Sequence, residues 1–546
     1  MTASDSFSSA QNPVDAMTVN LVDAGLLPPL AKAFLEGSGA ELLSPLQFQS
    51  PGGPPPTAPT PAGDRRELGA ALATANDIFG HPEAEALGRK LADPATLVVI
   101  TGQQPGLFGG PLYGLSKAVA AVRWAERLEQ AGQPAVALFW VATEDHDFRE
   151  SSRATFFTRN GPETFDLGED RSPLRPMGLR ELGPEVDRIL ADLREAIPGD
   201  RFGSWVDQLG QWYRPDNGFG EAFAGLMVHL LGRRAPLMVD SLLPALKQAQ
   251  APWMRRLVVE RHQVAAASAE RDGAIEAAGF SLQVRPQPGT SPLFVLHEGQ
   301  RRRIEWQGED RLRLRGTPEV ERDVEWLLAV IDREPEIVSA GVLARSAIQD
   351  AVFGTGLQIL GPGELAYLPQ VAPLYTLLEI EAPAVALRPQ VLVLEEHLLK
   401  KLEGGGLLLP ALVDPDLELD EQLAGSVGEE FLGPARQQLE TLLAGMEAPA
   451  LELDAGLAGP WLKTGEQMER ALESFSGRVK AASARRDQMA RQRLETLRDT
   501  VRPMNQLQER VIATGHYPGK YGRGFSEAML EQLDEQDPIT LQVVRP

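Results

Sequence analysis

The chain has no cysteine among its 546 residues. That excludes disulfides, thiolate nucleophiles, iron–sulfur clusters and cysteine-ligated zinc together, while leaving a thiol possible as a substrate. Long apolar runs are missing as well, since no stretch approaches the roughly 18 uninterrupted residues of a membrane-spanning helix. The amino-terminal MTASDSFSSAQNPVDAMTVN has no basic segment followed by an apolar one, so the sequence predicts a cytoplasmic protein without a membrane partner. Positive charge is short. With 53 Lys+Arg against 76 Asp+Glu the net charge is −23, a field that repels nucleic acid and anionic lipid surfaces. A small anionic ligand remains compatible, because a few cations and N–H groups in a cleft outweigh the global field.

What is present is ordinary globular material. Hydrophobic residues make up 43% and charged residues 24%, enough to bury a large core. At about 150 residues per domain, the length predicts three or four compact units. Residues 51–62, PGGPPPTAPTPA, hold six prolines and predict an extended connector. A helical stretch over 66–93 precedes the apolar, β-branched run Thr96–Thr101, which reads as a buried strand. A turn over 102–110 follows, then a helix over 112–131 with Leu115, Val119, Val122 and Leu128 on one stripe, then a second strand at 135–142. Strand, glycine-rich turn, helix and strand in this order make a βαβ unit of a parallel sheet. Ligands of such sheets sit at the carboxyl ends of the strands. Further strands are predicted at 235–240 and 357–360. Three regions are expected: an α/β core over 1–385, a leucine- and glutamate-rich helical domain over 386–508, and a segment over 509–546 that packs back on the core. Within the second, Met468, Leu472, Phe475, Val479 and Ala482, then Ala490, Leu494, Leu497, Val501 and Met504, trace a coiled-coil seam with one phase shift. That seam reads as a self-association surface or, equally, as a core-packed helix pair.

Two polar clusters fall at strand ends. The first, Thr101-Gly102-Gln103-Gln104-Pro105-Gly106, belongs to a turn with four glycines between 102 and 110 that lets backbone N–H groups approach an anion. It matches neither a dinucleotide fingerprint nor a P-loop. Tyr113 and Lys117 lie one helical turn apart and would face the same cleft, with Lys117 as its cation. The second, Glu144-Asp145-His146-Asp147, sets one imidazole among three carboxylates, which favour the imidazolium and suit a general acid/base. The same residues could instead bind a divalent metal, or be a solvated loop. Arg345 and Gln349 in ARSAIQD, and Gly361, Gly363, Glu364 and Tyr367 in GPGELAY, flank predicted strands and are lesser candidates. Arg301-Arg302-Arg303 reads as a solvent-facing hairpin. His81, His229, His262, His297 and His397 carry no assigned role.

TGQQPGLFGGPLYGLSKAVAA followed by FWVATEDHDFRE, with RSAIQD, GPGELAY and LQERV further on, resembles the BshC family of cysteine-adding enzymes of bacillithiol biosynthesis. The resemblance spans about residues 20–522. It implies a Rossmann-like core with inserted connecting modules, a coiled-coil domain that forms a homodimer, and ligase chemistry that joins L-cysteine to glucosaminyl-malate. Gly341 and Ser346, in SAGVLARS, depart from the family pattern. An activated carboxyl is needed for amide formation in water, so ATP with Mg²⁺ is the expected energy source. His146, tuned by Asp145 and Asp147, would deprotonate the sugar ammonium, with Glu144 beside it; the turn and Lys117 would hold phosphate or the malate carboxylates. No tightly bound metal is expected. The rival readings are a metal-dependent hydrolase or transferase using the Asp-His-Asp cluster, and a non-catalytic dimeric scaffold.

Overall fold

A computed structural model describes residues 18–57, 63–316, 318–404, 409–415, 419–486 and 488–546. Part of the proline-rich connector, residues 58–62, lies outside the described residues, as does Asp487 in the helical region. The chain forms two compact units. Val19–Glu395 together with Gln508–Pro546 makes one, and Glu396–Leu507 lies in the other.

The larger unit is built on a six-stranded, all-parallel sheet: β1 (Gln47–Phe48), β2 (Leu97–Gln103), β3 (Ala135–Val141), β4 (Leu237–Asp240), β5 (Thr355–Leu360) and β6 (Ala384–Leu387). Their order across the sheet is β1-β6-β5-β2-β3-β4. β2 and β3 are nearly continuous apolar runs because helices cover both faces, and alternate side chains go to opposite sides. Leu97 and Val99 pack with Leu115, Val119 and Val122 of α1 (Tyr113–Gln130). Val98 and Ile100 pack on the other face with Leu68, Leu72 and Leu91. The predicted helical stretch over 66–93 is two helices, Arg66–Ile78 and Ala84–Ala92, separated at Gly80, whose φ of 77° suits glycine.

Two insertions interrupt the doubly wound pattern. Between β3 and β4 lie the short helix Phe148–Ser151, the hairpin Arg153–Thr158 with Gly161–Asp166, and three longer helices, Glu185–Ala196, Asp200–Trp212 and Phe219–Leu231. Between β4 and β5 lie α2 (Pro244–Val259) and a five-stranded antiparallel sheet of residues 290–340. Then come α3 (Val342–Phe353) and α4 (Pro362–Leu377). The Arg301–Arg303 run is in this inserted sheet, and the expected solvent-facing hairpin is not what forms: Arg301 and Arg302 are 8% and 2% exposed. The guanidinium of Arg301 lies over the Phe294 ring at 4.1 Å, and Arg302 donates to the Pro318 carbonyl at 2.8 Å. Long arginine stems bury readily when their N–H groups find acceptors.

The strands at 384–387 and Gln390–Val393 belong to the sheet-bearing unit, so the helical unit starts at Glu396 and not at 386. After that unit the chain returns: Leu541–Val544 pairs in parallel with Gln390–Val393. The helical unit itself is dominated by the helices Leu419–Leu453 and Ala458–Arg486. Asp454 caps the turn between them by accepting from the Gly456 N–H at 2.8 Å. Along the predicted seam Leu494, Leu497 and Val501 are buried, but Met468, Phe475 and Met504 are exposed within the single chain. The Ala490 side chain is outside the described set.

Candidate active site

The strand order reverses between β2 and β5. β2 leads on one side to β3 and β4, and on the other it meets β5 and β6. Such a switch point splays the following loops apart and opens a crevice at the carboxyl ends of the strands. A cavity of about 420 Å³ sits there. From the predicted set it is lined by Gly102, Gln103, Gln104, Tyr113, Lys117, Glu144, Asp145, Arg345, Gly361, Gly363, Glu364 and Tyr367. Four separated motifs therefore converge on one cleft. Thr101, Gly106, His146, Asp147 and Gln349 do not line it.

At the end of β2, Thr101 is buried and its hydroxyl donates to the Ile359 carbonyl at 2.8 Å, which ties β2 to β5. Gly102 lies opposite Trp140 of β3, where a Cβ would come within 2.7 Å of the Trp140 carbonyl oxygen. The far end of the turn is bonded within the protein. Gly106 packs on Gly110, the Gly109 N–H donates to the Tyr213 hydroxyl at 2.7 Å, and the Gly110 N–H donates to Leu107 at 3.0 Å. Lys117 is likewise committed. Its ammonium donates to the Gly102 carbonyl at 2.7 Å and to Gln103 Oε1 at 3.1 Å, and it pairs with Glu364. An ammonium has three donors, so none is left for a phosphate in this arrangement. Burial pushes the Lys117 ammonium down. For Glu364, burial alone would raise the carboxyl, but Lys117 and the Gly361 N–H, at 2.7 Å, hold it below the usual range. Lys117 and Glu364 thus lock the end of β2 to the start of α4. Gln103 Nε2 donates to the Tyr113 hydroxyl at 3.1 Å, and burial keeps that phenol protonated.

In the acidic cluster each carboxylate turns to a different partner. Glu144 pairs with Lys247 of α2, which also donates to the Val338 carbonyl at 2.7 Å. Asp145 accepts from Gln104 Nε2 and, at 2.7 Å, from the His146 N–H. Asp147 caps the short helix Phe148–Ser151 by accepting from the Glu150 N–H at 3.1 Å. Among the described residues no three metal-ligating side chains gather, and the Asp-His-Asp metal site does not form. His146 lines a neighbouring concavity with Asp147, Phe148 and Leu174. Its pKa is lowered, by burial and then by Arg301, against the upward pull of Asp145 and Asp147. The expectation that the carboxylates favour the imidazolium is therefore reversed, first by burial and then by the guanidinium that arrives from the inserted sheet.

α3 and α4 supply the opposite wall. Arg345 Nη1 donates to Gln349 Oε1 at 3.3 Å, and its guanidinium lies 6.0 Å from the Trp140 ring centroid. Behind it, Gln349 donates to Asp350, which also accepts from the Tyr375 hydroxyl at 2.6 Å and from Gln358. Burial raises the Asp350 carboxyl to about 6. Gln349 is accordingly a support under Arg345. Gly341, at the start of α3, packs closely on the insertion: a Cβ there would lie 3.0 Å from Phe294 and from the Pro292 carbonyl oxygen. Ser346 is buried.

Sequence reasoning missed Arg301, Glu150, Arg388 and Arg510, which line the cavity, and Lys247, which stands behind Glu144. Lys247 left a signal, because it shares the buried side of α2 with Leu246, Gln250, Met254 and Leu257. Glu150 stood at the end of the acidic motif; burial and then Asp147 and Asp145 raise its carboxyl. Arg301, Arg388 and Arg510 reach the site from distant segments and left none.

The family model for the BshC N-terminal Rossmann-like domain matches residues 57–389, and that for the BshC C-terminal coiled-coil domain matches 391–544. Among curated relatives, the proposed cysteine ligase BshC of Solibacter usitatus is 31% identical, covering 86% of this chain and 87% of that protein. That of Salinibacter ruber is 30% identical, covering 86% of each. A solved structure titled as a proposed arginyl-tRNA synthetase from Campylobacter jejuni aligns with a TM-score of 0.24 at 10% identity, over 83% of this chain and 98% of its own, too loosely to bear on the fold. With both domain models matched along the chain and relatives of this identity over most of its length, the chain belongs to the BshC family.

Proposed function

We propose that the protein is a ligase that joins the carboxyl of L-cysteine to the amine of glucosaminyl-malate, the last step of bacillithiol biosynthesis. Family membership supports the reaction class. The observation that carries the reading to this cavity is its mixed charge: the carboxylates Asp145, Glu150 and Glu364 line it together with Arg301, Arg345 and Arg510. Both substrates carry an ammonium and at least one carboxylate, and a cleft lined by both signs of charge orients such molecules.

Amide formation requires an activated cysteine carboxyl, and ATP with Mg²⁺ is the expected source of activation. The Gly109 and Gly110 N–H groups and Lys117 are already bonded within the protein and are not available to a triphosphate in this arrangement. Glu150, whose carboxyl is raised above its ordinary value, takes one proton from the substrate ammonium, and the free amine nitrogen then attacks the activated carbonyl. The tetrahedral adduct gives up its second N–H proton to the departing group as the C–O bond to that group breaks and the group leaves with the electron pair.

A homodimer formed through the helical unit is supported by the apolar side chains that its two long helices leave exposed, among them Leu462 at 68% and Phe475 at 52%. No helix among the described residues is long and apolar enough to cross a membrane, and a biosynthetic ligase suits the cytoplasm. The test incubates purified protein with glucosaminyl-malate, L-cysteine and ATP–Mg²⁺ and follows bacillithiol, AMP and ADP by mass spectrometry. Bacillithiol with either nucleotide product supports the reading, and its absence with folded protein and authentic substrates overturns it.

A further inference from the structure

The inserted antiparallel sheet places one buried cation against the imidazole of the acidic motif. Arg301 is anchored on three sides: its backbone N–H donates to Leu174 at 2.7 Å, Nε to Ser339 Oγ at 2.9 Å, and Nη2 to the Ala340 carbonyl at 2.8 Å. Its plane rests on Phe294. These contacts leave Nη1 directed at His146 Nδ1, 3.4 Å away. A guanidinium has donors and no acceptor, so in this contact Nδ1 must present its lone pair. In a neutral imidazole the proton then resides on Nε2. The carboxylate that would orient the ring the other way is not in place. Asp145 Oδ1 is 3.8 Å from Nδ1, beyond hydrogen-bond distance, and already accepts the His146 backbone N–H.

We infer that Arg301 is a positioning residue that locks His146 as the neutral Nε2–H tautomer, so that a ligand entering the concavity His146 lines meets a hydrogen-bond donor to a carboxylate or acyl oxygen and not a base. The role as donor rests on the ligase reading; the tautomer does not. The other charged groups around the ring do not reverse it. Asp145 and Asp147 on its own loop pull toward the imidazolium, and Arg180 opposes it. Asp170, from the neighbouring loop, is held by Arg180 through contacts of 2.6 and 3.3 Å. Burial and Arg301 tip the balance.

The tautomer is read on the full-length protein, labelled with ¹⁵N-histidine, by long-range proton–nitrogen correlation, with the His146 signals assigned from H146Q. The wild-type protein is expected to show a protonated Nε2 and an unprotonated Nδ1 at pH 7, with the ring staying neutral below the ordinary histidine range. In R301M the signals should move toward a tautomer mixture and the titration should rise, with R301K intermediate. A protonated Nδ1 in the wild type, or signals indifferent to R301M and R301K, overturns the inference. Ligase assays supply the second readout. Because His146 lines the neighbouring concavity, H146A should lose more ligase activity than H146Q, which restores an N–H donor there. Equal losses in the two variants overturn the donor role. A complete lack of ligase activity in the wild type would instead overturn the function and leave the tautomer measurement standing.

Discussion

Two arginine–glutamate pairs show how differently the two units of this protein use the same chemistry. In the sheet-bearing unit, Arg388 and Glu509 form a two-pronged pair with contacts of 2.8 and 2.7 Å, both side chains at 2% exposure or less. Glu509 also accepts the Val391 N–H at 2.9 Å. In the helical unit, Arg470 and Glu466 lie one turn apart at 3.2 Å, with side chains 75% and 59% exposed. The first pair joins segments about 120 residues apart in sequence and has no water to fall back on, while the second is solvated and local. The apolar residues divide in the same way. Those of β2 and β3 are fully enclosed, whereas Leu442, Met446, Leu462 and Phe475 of the long helices are all at least half exposed. The sheet-bearing unit builds its site from contacts made within one chain; the long helices leave a row of apolar side chains that a single chain does not cover.

Breaking the buried pair should have the largest effect. Glu509→Ala strands a buried guanidinium and should cost about 3–5 kcal/mol, against about 0.5 kcal/mol or less for Glu466→Ala; urea unfolding of the two variants measures the contrast. Similar costs for both would erase the distinction drawn between the units.

Acid should act next, and selectively on the sheet-bearing unit. His516 is buried among Phe156, Phe157 and Phe202, and burial pushes its pKa down to about 3. The unfolded chain, with a histidine pKa of roughly 6.5, binds the proton more readily, so this group's contribution is complete above that pH and is lost as pH falls toward the folded value. Between pH 6.5 and 5 the loss should be about 2 kcal/mol. His516→Phe should flatten this part of the pH dependence in thermal unfolding, since Nδ1 of the native ring has no partner to lose. An unchanged slope would remove His516 as its source.

The smallest effect on stability belongs to the exposed helical positions. Phe475→Glu should change the stability of the single chain by only about 0.5 kcal/mol. It should nonetheless shift the sedimentation velocity profile from dimer to monomer, and an unaltered profile would place Phe475 outside any self-association surface.

Local pattern carried most of the fold. The apolar run at 96–101, the stripe on α1 and the run at 135–142 could form little else, because periodicity and burial are properties of neighbouring residues. The polar clusters at the strand ends were legible for the same reason, and Gln103, Gln104, Glu144, Asp145, Arg345 and Glu364 all line the cavity. Partnership was not legible. Lys117 looked like a free cation until Gly102, Gln103 and Glu364 claimed its three donors, and the glycine turn looked like an anion cradle until Tyr213 took the Gly109 N–H.

The sequence by itself thus determined the βαβ unit, the two motifs that end its strands and the helical character of most of the region read over 386–508. Only the tertiary structure decided which charges remain available and which way His146 leans. Arg301 is separated from His146 by 155 positions and sits in an inserted sheet whose own pattern carries no sign of the site. Hydrogen-bond donors and buried charges answer to whatever stands within a few ångströms, and that neighbourhood is set by chain crossings, which local periodicity does not encode.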